Sequence, residues 1–272
     1  MFGEIASTDY EGEIAGFGAQ VKIRTIPTVI VSDYVIGAGL TPQYPANNSV
    51  TLAIDQAKSF AVALSTVDSR QSDLDLADVF ANDGSIQLRI AADADLLETI
   101  PADVSADNSG TTAGADSNDI NLGSAAAPVT VTKDTVVQLI TNMGQVLDEQ
   151  NVSDEGRWLV VPPWFINLVK NSDLKIASLA GDGVSILRNG KVGEIDRFTI
   201  YQSRNILTQA TPGPASHIVF GHSAGLTFAA QIVECQMIDN PSDFGYIIRG
   251  LMVFGFEVIE PKYLGTAIVK RG

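Results

Sequence analysis

The chain has few of the residues that build most chemical sites. Among its 272 residues are one cysteine, Cys235, and two histidines, His217 and His222. A single cysteine excludes an intrachain disulfide and a cysteine-rich metal site, and we expect it to be a small buried side chain on a strand. The two histidines lie too close in sequence, without a third ligand in view, to indicate a metal site.

Basic residues are also scarce, with 17 Lys and Arg against 32 Asp and Glu and a formal net charge of −15. A protein that grips nucleic acid neutralises its phosphates with the opposite balance, so the composition argues against tight, direct DNA binding. No apolar run approaches the roughly 20 residues that span a bilayer. Residues 1–16 carry acidic but no basic side chains, which is the wrong charge for a signal peptide.

One motif points to an enzyme. Gly221–Gly225 spells G-x-S-x-G, the nucleophile elbow of α/β-hydrolases, and the sequence predicts a strand over 218–220 and a helix over 224–231. In that fold the catalytic histidine follows the serine, whereas both histidines precede Ser223. We therefore predict a turn in which Ser223 caps the following helix. No catalytic, cofactor-binding or metal-binding residue is expected in this chain.

The first part of the chain predicts a long β-hairpin. Alternating apolar residues indicate a strand within 18–31, residues 32–50 are rich in Gly, Pro and Asn, and 51–64 alternates again as the return strand. Isolated hairpins are marginal in water. We therefore expect this hairpin to dock on something outside its own domain.

Two helices follow. Residues 73–100 predict a long amphipathic helix, bent or split at Asn82-Asp83-Gly84. After a low-complexity loop over 102–128, Thr132 is expected to cap a second helix. The predicted core face of the first helix is Leu76, Val79, Phe80, Ile86, Ile90, Ala94 and Leu97, and that of the second is Val136, Leu139, Ile140, Met143 and Leu147.

The rest of the chain alternates strands and helices without a regular rhythm. A buried strand over 158–161 precedes a helix that begins at Pro163 and runs to Lys170. Further strands are predicted over 194–201, 218–220, 232–238 and 247–259. Because no regular βαβ repeat is present, the predicted fold class is α+β.

Five segments, in order along nearly the whole chain, resemble the major capsid proteins of tailed double-stranded DNA bacteriophages, which have the Johnson fold. They include Thr51-Leu52-Ala53-Ile54-Asp55-Gln56-Ala57-Lys58-Ser59-Phe60, and Gly156-Arg157-Trp158-Leu159-Val160-Val161-Pro162-Pro163. The other three lie within 9–23, 189–203 and 224–261. Each segment is short, and it is their order that carries the resemblance.

The resemblance implies an architecture. Its parts would be an N-terminal arm over 1–17, an extended-loop hairpin with the first peripheral strands over 18–64, a peripheral domain with spine helix and low-complexity loop over 65–128, an axial domain over 129–230, and closing strands over 231–272 that return to the peripheral domain. Family members usually have a further helical stretch before the arm. Here either the arm is shortened or an N-terminal piece is missing.

The implied function is structural and not enzymatic. The chain would self-assemble through pentamers and hexamers into an icosahedral shell around packaged DNA, in a virion capsid assembled in the host cytoplasm. Implied partners are a scaffolding protein, a portal protein and, as a further candidate, a decoration protein, with no membrane and no cofactor. Two alternatives stay open at this point: the shell of a cellular nanocompartment with the same fold, and a serine hydrolase using Ser223.

Overall fold

A computed structural model describes most of the chain. The predicted arm beyond residue 9, the start of the long helix and the resembling segment at 189–192 lie outside the described residues. Those described are 2–9, 18–25, 29, 31, 33, 36–37, 42–44, 48–65, 76–172, 193–210, 213–241 and 243–272.

The described residues form four α-helices and twelve strands. The helices are α1 (Phe2–Ile5), α2 (Leu76–Asp103), α3 (Val136–Glu149) and α4 (Pro163–Asn171). The strands are β1 (Gln20–Thr25), β2 (Asn48–Ala53), β3 (Gln56–Ser65), β4 (Val129–Val131), β5 (Arg157–Val161), β6 (Glu194–Ile195), β7 (Phe198–Gln202), β8 (Thr208–Gln209), β9 (Ala215–His222), β10 (Leu226–Asp239), β11 (Gly245–Val258) and β12 (Leu264–Arg271).

Three sheets organise these strands. The hairpin β1–β2 forms a two-stranded antiparallel sheet. A long antiparallel sheet has the order β10-β11-β3, and a mixed seven-stranded sheet has the order β4-β12-β9-β5-β7-β6, with β8 paired to β9. The closing strands therefore divide between sheets, because β10 and β11 belong to the long sheet and β12 pairs with β9 and β4.

The core lies on both faces of β5. Leu159 and Val161 point to the layer formed with α3 and α4, whereas Trp158 and Val160 point to the layer shared with α2 and the long sheet. All five residues of β5 are buried, which is why its sequence is a continuous apolar run apart from Arg157. A third, smaller cluster joins the hairpin β1–β2 to Ala229 and Val253 of the long sheet.

The predicted α3 face is confirmed. Its five predicted core residues are all buried, and each large apolar side chain contributes about 1.5–3 kcal/mol on burial. The start of this helix differs from the prediction. The N-cap position is Thr135 and not Thr132, and the Oγ1 of Thr135 accepts the backbone N–H of Thr132 at 3.0 Å.

The long helix exists, but its predicted core face is largely wrong. Val79, Ile86 and Ile90 are exposed, and the buried positions of α2 are Gly84, Leu88, Ala92, Leu96, Leu97 and Ile100. Nor does the helix break at Asn82-Asp83-Gly84. Gly84 instead makes room for Phe60 of β3, since a Cβ at Gly84 would lie about 2.5 Å from the ring.

Other local predictions are corrected as well. The return strand over 51–64 is two strands, with β2 paired to β1 and β3 paired to β11. The strand over 194–201 is a tight hairpin, β6–β7, whose turn residues Asp196 and Arg197 both have positive φ, as the favoured two-residue turn requires. Cys235 lies on a strand as predicted, but it is exposed.

The low-complexity segment is an ordered loop. Asn108 is buried, and its Nδ2 donates to the carbonyl oxygens of Lys262 and Leu264 at 2.7 and 2.8 Å. Farther along, Ile120 and Leu122 are buried in the layer that contains α3. The loop thus ties the end of α2 to β12, and the predicted subdomain boundary within it stays a prediction.

A carboxylate at the end of α3 fixes this loop. The Oε2 of Glu149 accepts the backbone N–H groups of Asp116 and Ser117 at 2.9 and 3.1 Å, and Gln145 donates to Oε1 at 2.9 Å. Burial alone would raise the pKa of Glu149, but these hydrogen bonds to the charged form outweigh it and lower the pKa to about 2.

The stability of the subunit is therefore expected to fall in acid through Glu149. A carboxyl with a depressed pKa contributes stability that is fully present above its unfolded pKa, here 4.5, and is lost as pH falls toward about 2. Urea unfolding across that range should show a smaller acid loss for Glu149→Gln than for the wild type. Glu98→Gln, at an exposed site of α2, is the control, and an unchanged acid loss in Glu149→Gln would contradict the assignment.

Candidate functional site

The G-x-S-x-G segment is a turn between two strands. Ser223–Gly225 forms a single 3₁₀ turn that joins β9 directly to β10. The predicted helix over 224–231 is wrong, because those residues pair with β11 from Leu226 onward. The nucleophile elbow requires a strand-to-helix turn, so the local geometry of a hydrolase is absent here.

The side chains around Ser223 also differ from a catalytic arrangement. The cap of the 3₁₀ turn is His222, whose Nδ1 accepts the backbone N–H of Ala224 at 3.1 Å, so the predicted capping by Ser223 is wrong. His217 is five residues away on the same strand and points to the opposite face. Burial lowers the pKa of His217. Neither histidine is therefore placed as the base of a Ser223 nucleophile.

The glycines of the motif have a packing reason. A Cβ at Gly221 would lie 2.5 Å from the carbonyl oxygen of Tyr263, and one at Gly225 would lie 2.8 Å from the Cβ of the same tyrosine. The 3₁₀ turn Pro261–Tyr263 crosses closely over this corner. These glycines accommodate that crossing, which gives their spacing around Ser223 a packing reason.

An arginine cluster is built around a buried side chain, that of Arg157. Arg157 is 1% exposed, and its Nη2 lies 2.7 Å from Asp148 and 3.1 Å from Asp154. The outer Arg197 bridges the same two carboxylates at 2.8 and 2.6 Å. Every charge in this cluster is paired, so its geometry indicates a structural junction between the end of α3, the start of β5 and the β6–β7 turn.

The pKa of Asp148 reflects this pairing. Burial acts to raise it, but hydrogen bonds from Arg197 and Arg157 outweigh burial, and the net pKa lies below its usual value. Hydrogen bonding to Asp148 in turn raises the pKa of Arg197. No group of three or more His, Cys, Asp or Glu side chains in the described ranges could hold a metal ion.

The described surface carries large apolar side chains in three places. The loop surface, between β1 and β2, exposes Val29, Val31, Ile36 and Tyr44. The helix stripe exposes Val79, Ile86 and Ile90 of α2, and the hairpin tip, where β10 turns into β11, exposes Met237, Phe244 and Tyr246. Contiguous exposed apolar patches mark interaction surfaces. Much of the predicted hairpin end over 32–50 lies outside the described residues, so its docking on something outside its own domain stays a prediction.

The sequence alone missed two of these surfaces. Periodicity predicts the apolar residues of the helix stripe as core, because it shows that a helix has an apolar face without showing what covers that face. The hairpin tip carried a weak signal, an aromatic residue inside the polar turn Asn240-Pro241-Ser242-Asp243-Phe244. None of the described helices has the length and apolar character needed to cross a bilayer.

A family model and solved structures match this chain. The model described as phage capsid protein matches residues 47–267. A solved structure from Mycobacterium phage Che8 has a TM-score of 0.76 and 23% identity, covering 98% of this chain and 90% of that chain. The capsid of the Cyanophage P-SCSP1u has a TM-score of 0.68 and 13% identity, covering 100% of this chain and 88% of that chain. The capsid of Ralstonia phage GP4 has a TM-score of 0.61 and 13% identity, covering 99% of this chain and 90% of that chain. No curated protein matches the sequence significantly.

Proposed function

Because the chain belongs to the phage capsid protein family, whose model matches residues 47–267, we propose that it assembles through pentamers and hexamers into an icosahedral shell around packaged double-stranded DNA. The chain is a bacteriophage major capsid protein, a structural subunit of the capsid shell. Its fold is of the α+β Johnson type, which confirms the expectation from sequence. The family match favours a phage shell over the cellular nanocompartment.

The three exposed apolar surfaces support self-assembly. They lie on the loop surface, the helix stripe and the hairpin tip, so each subunit exposes apolar side chains on three separate segments of the chain. Contacts between different patches on two copies build rings and extended lattices, as a shell requires. We propose that the loop surface lies over a neighbouring subunit and that many modest contacts, repeated across the shell, hold it together.

The charge of the chain supports enclosure of DNA without tight binding. With a net charge of −15, an inward-facing acidic surface would repel phosphates and let packed DNA slide. We place α2 and the long sheet in a peripheral domain and much of 129–230 in an axial domain. Scaffolding, portal and decoration proteins are proposed partners, and assembly is proposed to take place in the host cytoplasm.

Electron microscopy of the full chain tests this function. Expressed alone, and with its neighbouring gene products, the protein is expected to form ring-shaped capsomers or closed, uniform particles. Ile86→Ser with Ile90→Ser should lower the yield of particles while leaving the fold intact, since both side chains are exposed. Gln87→Ser, on the same helix, is the matched control.

Two results would contradict the proposal. A protein that stays strictly monomeric at high concentration under every condition would remove the shell function. Small particles that carry an enzyme cargo and no nuclease-resistant DNA would instead establish the cellular compartment.

A further inference from the structure

The hairpin tip is an acidic and aromatic projection. Phe244 is 88% exposed, and Met237 and Tyr246 are also exposed. From Asp239 to Tyr246 the chain has two carboxylates and no basic residue. A backbone hydrogen bond closes the turn, because the N–H of Asn240 donates to the carbonyl oxygen of Gly245 at 3.0 Å. An aromatic side chain has only about two rotatable bonds, so Phe244 loses little side-chain entropy on binding.

A cleft with the opposite chemistry lies beside the start of α4. It has a volume of about 400 Å³, and its lining includes Pro162, Trp164, Pro214 and the two arginines Arg204 and Arg271. None of the described residues that line it is acidic. Within the described ranges neither arginine has a carboxylate partner, in a chain where acidic residues outnumber basic ones almost two to one. The prolines restrict the backbone of the rim.

The tip and the cleft complement each other, and we propose that the hairpin tip of one subunit binds the Trp164 cleft of a second copy. Phe244 would pack against Trp164 and the prolines, an aromatic contact that adds to the apolar area buried. Asp239 and Asp243 would pair with Arg204 and Arg271 in charge-assisted hydrogen bonds. Phe244 is 88% exposed, so it is free to enter the cleft of a second copy.

This contact deepens the proposed shell function and rests on it. The tip and the cleft are different patches, so their contact is heterologous and passes from subunit to subunit instead of closing a two-fold dimer. That is the kind of contact from which rings and lattices are built. The proposed partner is therefore a second copy of this chain. Binding of an acidic segment of another protein, or of a single-stranded nucleic acid, would be an alternative outcome of the test.

A peptide titration tests the contact directly. The probe is a synthetic peptide of residues 237–247, and the receptor is the full chain with Phe244→Ala, whose own tip is disabled. Trp158 is fully buried, so Trp164 is expected to give the change in fluorescence. We expect saturable binding, and about tenfold weaker binding, which corresponds to about 1.4 kcal/mol, for the same peptide with Phe244 replaced by Ala. Oligo(dT) is the second probe. Saturable binding of oligo(dT) to the cleft, with no binding of the peptide, would overturn the proposal.

Charge reversal tests the same contact in assembly. Arg204→Glu with Arg271→Glu, and separately Asp239→Arg with Asp243→Arg, should each lower the yield of particles, and the combination of all four should restore it. Rescue excludes misfolding as the cause of either loss. Normal assembly of both pairs, or failure of the combination while circular dichroism shows it folded, would overturn the proposal. Wild-type particles would still form in either case, so the shell function is judged separately.

Discussion

Gly255→Ala is expected to destabilise the subunit by about 3 kcal/mol, near the upper end for overpacked sites, and to yield misshapen particles. Gly255 lies on β11 where β2 ends. A Cβ there would overlap the carbonyl oxygen of Ala53 and lie 3.0 Å from the Cδ1 of Ile54. A backbone carbonyl cannot rotate aside as a side chain does, so β2 has to move away from the long sheet.

A movement of β2 would also displace the loop surface, which lies on the same hairpin. A small buried cluster holds β1 and β2 on the long sheet: Val21, Ile23, Leu52, Ile54, Ala229 and Val253. The loop surface lies at the far end of the same hairpin, so a shift at its root changes where that surface points. Urea unfolding and electron microscopy measure the two effects.

Gly213→Ala is the matched control for this prediction. A Cβ at Gly213 meets nothing within 4 Å, so the same chemical change should leave both stability and particle shape unaltered. Equal stability losses at the two positions would show that the approach of Ala53 to Gly255 does not constrain the fold.

Strand positions were largely predictable from sequence, and the sheets to which they belong were not. Period-2 alternation located β1, which buries one face, and a continuous apolar run located β5, which is buried on both faces. The break between β2 and β3 falls at Ile54 and Asp55, where the chain leaves one sheet for another. Local alternation continues through that point, so only the pairing partners reveal it.

The wrong prediction of a helix over 224–231 has a similar cause. Small and apolar residues there suit either a helix or a buried strand, and short apolar runs do not distinguish the two. Pairing of Leu226 with Val258 and of Phe228 with Phe256 decides for the strand. The G-x-S-x-G spacing also favours a helix there, although the absence of a histidine after Ser223 argues against a hydrolase.

The proposed assembly surfaces are the least predictable part. Sequence patterns reveal an apolar face without showing what covers it. They therefore predict Ile86 and Ile90 as core, although both are exposed. The resemblance to capsid proteins supplied the fold and the family without indicating Phe244 or the Trp164 cleft, since both depend on how distant segments meet in space.

Arg157→Met is expected to cost about 3 kcal/mol of folding free energy, because each buried acceptor that loses its donor costs about 1–3 kcal/mol. Three backbone carbonyl oxygens accept hydrogen bonds from Arg157: those of Ser153 at 2.8 Å, Val152 at 2.6 Å and Gly144 at 3.4 Å. Methionine fills similar space but leaves these acceptors and the facing oxygen of Asp148 without a donor. Urea unfolding of the purified subunit measures the loss.

Arg197→Met is the control within the same cluster. Arg197 binds the same two carboxylates, but its side chain is 38% exposed, so water replaces its hydrogen bonds and the expected cost is about 1 kcal/mol or less. The two variants remove the same charge and differ in burial and in the three carbonyl hydrogen bonds of Arg157. A loss for Arg197→Met as large as that for Arg157→Met would mean that the pairing of charges, and not the desolvated position of Arg157, holds the end of α3 to β5.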